Sequence, residues 1–168
     1  MENISKKMAF GGILLALDAI LFMLINFIPM NTIFFMALAS LISSIIVIEF
    51  GEKMGTIFTV ASIFISFIII ANKAQWFVFA ISFAVYGIVK SLIERGRNMI
   101  VEYGMKIVFA NVVLFIIYSV LKSFIQIKFI SVLVVGFNIT FLIFDLFYSQ
   151  FINMYQNKWR KSISKYLN

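Results

Sequence analysis

Between residues 9 and 28 the chain carries a single charged side chain, Asp18, and five more predominantly apolar runs follow at 33–50, 54–71, 75–89, 105–121 and 129–152. Each approaches the ~20 apolar residues that carry a helix across the ~30 Å hydrocarbon core of a bilayer. Composition agrees. Of 168 residues, 63% are hydrophobic and 12% charged, and the mean hydropathy is +1.07. That leaves too little polar surface to coat a water-soluble globule. The sequence therefore reads as all-α: a polytopic integral membrane protein, one domain over residues 1–168, with six transmembrane helices. Lys6 and Lys7 precede the first run, which ends at Pro29 without a small-residue cleavage pattern. It reads as a retained first helix rather than a leader.

The formal net charge of +7 does not point to nucleic acid, because the charges fall in short clusters between apolar runs. With the N-terminus inside, the inner set is Lys6, Lys7, Lys53, Lys90, Arg95, Arg97, Lys106, Lys158, Arg160, Lys161 and Lys165, against Lys73, Lys122 and Lys128 outside. This bias places both termini in the cytoplasm of a cell membrane. Three outer lysines with no outer acid hint at an anionic ligand.

On the first helix Ala9, Gly12, Ala16 and Ala19 are spaced 3, 4 and 3 apart and form one stripe of small side chains. Asp18 lies on nearly the opposite face with Gly11, Leu14, Phe22 and Ile25. Small stripes let a second backbone approach closely. They pack either within the chain's own bundle or against another membrane protein. An intramembrane carboxylate has to face the bundle interior. Three roles stay open for Asp18: a buried hydrogen-bonded acid, a coupling-ion site, or a contribution to substrate binding.

The later helices carry larger polar stripes. Gln75, Phe79, Ser82, Tyr86 and Lys90 share one face of the fourth span. Asn111, Phe115, Tyr118 and Lys122 share a face of the fifth, continued by Gln126, and Asn138, Asp145 and Ser149 a face of the sixth, with Tyr148 alongside. By depth, Gln75, Trp76, Tyr118, Lys122, Gln126 and Asn138 fall in the outer half, capped by the first loop with Asn31 and by Asn26 just below it. Aromatic walls with a few amides and a cation suit a small polar ligand, or else belong to the interfacial aromatic belt. Asn111, Asp145, Tyr86 and Lys90 fall in the inner half, where an Asp145–Lys90 bridge is expected to be structural.

The motifs of common enzymes are missing. There is no histidine and no cysteine, and neither a P-loop nor a G-x-S-x-G elbow occurs. The chain is read as no enzyme, with no cofactor and no metal site.

The short basic start, "AFGGILLALDAI", the nearly charge-free first loop, "FGEKMG" and "YGIVKSLIERG" together resemble the substrate-binding S components of energy-coupling factor transporters. The likeness is one of layout over nearly the whole chain. It implies six helices with both termini inside. It also implies capture of a small vitamin-like molecule from outside by the first loop and helices four to six. Docking on a transmembrane T subunit that works with two ATPases would use an A-x-x-x-A pattern, read here as Gly12 and Ala16 and extended by Ala9 and Ala19. Without histidine, nickel or cobalt uptake is not expected. The layout is similar as well to the rod-shape-determining membrane protein D, which implies a scaffold rather than a transporter. In either reading the partners are the bilayer and other membrane subunits, not nucleic acid.

Overall fold

In a computed structural model describing residues 2–122, 130–160 and 163, the chain is helical throughout, with no strand among the described residues. Five helices are long and apolar enough to cross a membrane. They are α1 (Glu2–Phe27), α2 (Thr32–Ile69), α3 (Lys73–Ile93), α4 (Met99–Leu121) and α5 (Ile130–Met154, continued through Tyr155–Trp159). Gln126 and Lys128 lie outside the described residues.

The second and third apolar runs, expected as separate spans, are two helical arms of α2 that meet at a kink at Gly51. At 38 residues a straight helix would be about 57 Å long, nearly twice the hydrocarbon thickness. It is not straight. Gly51 sits at φ 81°, ψ 175°, a region essentially closed to residues with a Cβ, and there the chain turns back on itself. Gly55 lies against Val47, so that an added Cβ would collide with its Cγ2. Ile42 and Phe58 share one apolar cluster. In an unbroken helix those two would stand about 24 Å apart. The two arms of α2, 32–50 and 52–69, therefore run antiparallel.

α1 packs along the second arm in the same direction. Phe10 meets Phe50 near one end, Ser62 bonds Asp18 midway, and at the far end Asn26 is tied to the Ile69 carbonyl and the Ala71 amide. Phe22, Ile25, Phe35, Met36, Ala39, Ile70, Phe79 and Ala84 form the core where α1, both arms and α3 converge. Side chains need this packing because α1 has no polar face to orient it: with lipid outside, only fit distinguishes one apolar face from another.

α3 is longer than the expected 75–89 span and is wound as a π-helix over Phe79–Ala84. The wider turn leaves carbonyls free for side chains. Ser40 Oγ donates to the Phe83 carbonyl at 2.7 Å, and Ser82 bonds back to Val78. Gly87 allows a close approach: a Cβ there would meet Tyr148 Oη at 2.8 Å. That hydroxyl donates to the Ser40 carbonyl at 2.8 Å, tying α5 to α2 across α3.

The polar ends of the fold are unequal. The start of α1, the Gly51 reversal, the α3–α4 link and the end of α5 lie together, with Glu52 bonding Arg95 and Glu49 bonding Tyr155 and Arg160. The opposite end holds the Pro29–Asn31 turn, residues 70–72 and Lys122, and its only described cations are Lys73 and Lys122.

Gly51→Ala should lower the unfolding free energy by about 1–3 kcal/mol, because alanine is strained at that backbone geometry. Gly12→Ala, inside a helix and with room for the added Cβ, should instead raise it by about 0.5–1 kcal/mol. Denaturant titration in detergent micelles measures both.

Candidate functional site

Tyr86, Lys90 and Glu94 follow one another at four-residue intervals and so share one face of α3. On α5, Asp145 and Ser149 have the same spacing. Lys90 Nζ lies 2.5 Å from Asp145 Oδ1, 2.5 Å from Glu94 Oε1 and 2.8 Å from Ser149 Oγ, which uses all three ammonium protons. From α4, Lys106 Nζ reaches Asp145 Oδ2 at 2.8 Å and Glu94 Oε1 at 2.5 Å. Tyr86 donates to Asp145 Oδ1 at 2.5 Å. Lys90, Asp145 and Lys106 are 1%, 2% and 4% exposed, while the Glu94 side chain is 33% exposed.

Two ammonium groups and two carboxylates cancel formally. In a low-dielectric interior that balance matters more than any single bond, because an unpaired charge there is far more costly than an imperfect pair. Rings complete the shell. Tyr86 contacts Phe109, Phe141, Phe144 and Tyr148, and Lys90 stands 5.9 Å from the centre of the Tyr148 ring. Both Asp145 oxygens and every Lys90 proton are engaged, so the cluster is suited to joining three helices rather than to holding a ligand.

Sequence reasoning paired Asp145 with Lys90 but missed Lys106 and Glu94. By sequence Lys106 stands at the very start of the fifth run, among the charges of the inner set. Instead α4 begins at Met99, a turn and a half earlier than the expected span, and carries Lys106 inward. The available signal was the Tyr86–Lys90–Glu94 spacing, which extends the polar stripe of α3 by one more turn.

The residues expected to form one outer binding site are divided among several places. Asn31 and Gln75 line an open groove of about 600 Å³ with Pro29, Met30, Thr32 and Val78. Asn26 is committed to the end of the second α2 arm. Trp76 turns toward that arm as well, donating Nε1–H to the Ile63 carbonyl at 3.1 Å and meeting Phe67 edge-on at 4.9 Å. Asn138 exchanges hydrogen bonds with Asn111 at 3.1 and 3.3 Å, and each amide also donates to a carbonyl four residues back. Their sequence positions predict different depths, whereas in the structure they face each other between α4 and α5. Tyr118 is half-buried and Lys122 exposed near the end of α4.

On α1, Ala9, Gly12 and Ala16 are exposed and Ala19 is half-buried. The small stripe thus faces outward and is not used for packing within the chain. Asp18 on the other face is fully buried against Ser62.

No family model, curated protein or solved structure matches this chain.

Asp145→Asn should cost about 3–5 kcal/mol of unfolding free energy, since it leaves two buried ammonium groups with one carboxylate. Adding Lys106→Met should recover part of that loss, giving a non-additive cycle. Thermal unfolding in detergent of the two single variants and the double variant tests this.

Proposed function

We propose that the chain is a membrane subunit that docks another membrane protein through α1 and captures a small molecule at the opposite, outward end, as in the S components of energy-coupling factor importers. One observation carries the reading. The Ala9–Gly12–Ala16 face is exposed, and a Cβ added at Gly12 would meet no other helix within 4 Å. A face of very small residues left open in lipid gains contact only when a second helix lies against it. On this reading that helix belongs to a T subunit coupled to two ATPases. The antiparallel arms of α2 support six crossings. The charged end supports a cytoplasmic location for both termini. The groove holding Asn31 and Gln75 then opens outward, and its apolar walls with two amides suit a small, largely apolar molecule with a hydrogen-bonding group.

A non-transporting scaffold of similar layout is the second reading. It is favoured by the engagement of Asn26, Trp76 and Asn138 inside the protein.

Affinity purification of the tagged chain from its native membrane should recover a T-type membrane protein with two ATPases. Gly12→Leu combined with Ala16→Leu should remove these partners more than about tenfold while the chain still elutes as a single species. Recovery of cell-wall or division proteins without ATPases would select the scaffold instead.

A further inference from the structure

The two buried aspartates are treated very differently. Asp145 receives two ammonium groups and a phenol. Asp18, fully buried midway along α1, receives one hydroxyl: Ser62 Oγ donates to Oδ2 at 2.8 Å. Its other oxygen, Oδ1, has no hydrogen-bond partner. Thr59 Oγ1 has none either, and that residue is 3% exposed. Thr59 sits three residues before Ser62, on the same face of the second α2 arm. No lysine or arginine forms an ion pair with Asp18 among the described residues.

Two buried, unpartnered oxygens on neighbouring helices, one from a carboxylate, are lone-pair donors that a cation could satisfy together. A proton on Oδ1 would neutralise Asp18 but would leave Thr59 Oγ1 alone, since the two oxygens are not hydrogen-bonded to each other. A cation takes lone pairs from both and neutralises the carboxylate at once. The donors are all hard oxygens. One carboxylate balances one positive charge, and no cluster of three or more acidic, histidine or cysteine side chains able to hold a metal occurs among the described residues. The charge therefore selects a monovalent ion. Ser66, fully buried on the same face, extends the hydroxyls toward the end of the fold where Asn26 lies.

We propose that Asp18, Thr59 and Ser62 form a binding site for one monovalent cation, enclosed between α1 and the second arm of α2. The site stands apart from the small-residue face of α1 and from the outer groove, and it does not depend on the chain being a transporter.

The test uses the purified full chain in detergent at constant ionic strength, exchanging choline chloride for sodium chloride. The thermal midpoint should rise with the logarithm of sodium concentration, and radioactive sodium should bind at about one ion per chain. Thr59→Val keeps the side-chain shape and should weaken sodium binding more than about tenfold, as loss of a ligand costs no less than loss of its supporting partner. Asp18→Asn should abolish it. If Asp18→Asn does not fold, Thr59→Val still decides the matter. In sodium, difference infrared spectra of wild type against Thr59→Val should show an ionised carboxylate at Asp18 in the wild type. A midpoint that does not change when sodium replaces choline, or a protonated-acid band that persists in saturating sodium, would each overturn the proposal.

Discussion

The buried ion cluster that joins α3, α4 and α5 is the interaction on which the second half of the fold depends. In water a cluster of lysines and carboxylates is weak glue, since each partner gives up hydration to join it. In hydrocarbon the comparison changes, because separated helices would have to carry the same charges into lipid or drag them to the interface. α4 shows this most clearly. An apolar groove of about 580 Å³ lies between it and α3. Its firm attachments are Lys106 to Glu94 and Asp145, the Asn111–Asn138 exchange, and Phe109 against Tyr86 and Phe141. Polar pairs fix where α4 sits, and the aromatic rings fill the space around them.

The first half solves the same problem by other means. α1 and the two arms of α2 meet through small and hydroxyl side chains: Ser40, Ser43, Ser44, Thr59, Ser62 and Ser66 are all buried. Hydroxyls can return a hydrogen bond to their own helix, as Ser44 and Ser66 do, so they fit tight interfaces without demanding a partner. The chain thus has one half built for close backbone contact and one tied by charge. α1 presents its spare small face outward from the close-packed half, while the amide-bearing groove lies at the other end of the molecule. That separation is what the proposed division between docking and capture requires.

Much of this was legible in the sequence because lipid simplifies the reading. Apolar runs, the crowding of charges at one end, and the shared face of Tyr86 and Lys90 follow from residue type and a 100° turn per residue. The reversal between the second and third runs was legible as well, with "FGEKMG" as the break, but nothing in that stretch showed that Gly51 alone would carry the turn. Periodicity also gives the direction a side chain leaves its helix but not the neighbour it meets. Trp76 lies near the polar end of α3, as either an interfacial ring or a binding-site ring would, yet it is turned onto Ile63. Lys106 misled for a different reason: a long flexible stem lets its ammonium reach inward from a helix that began earlier than hydropathy suggested.

The account rests on the chain crossing a bilayer with its charged end inside and reversing at Gly51. Because the chain has no cysteine, one introduced thiol reports its own position. In intact cells, a membrane-impermeant maleimide should label Asn31→Cys and Lys122→Cys. It should reach Lys53→Cys and Asn98→Cys only after the membrane is opened. Labelling of Lys53→Cys in intact cells alongside Asn31→Cys would contradict the reversal and the orientation together.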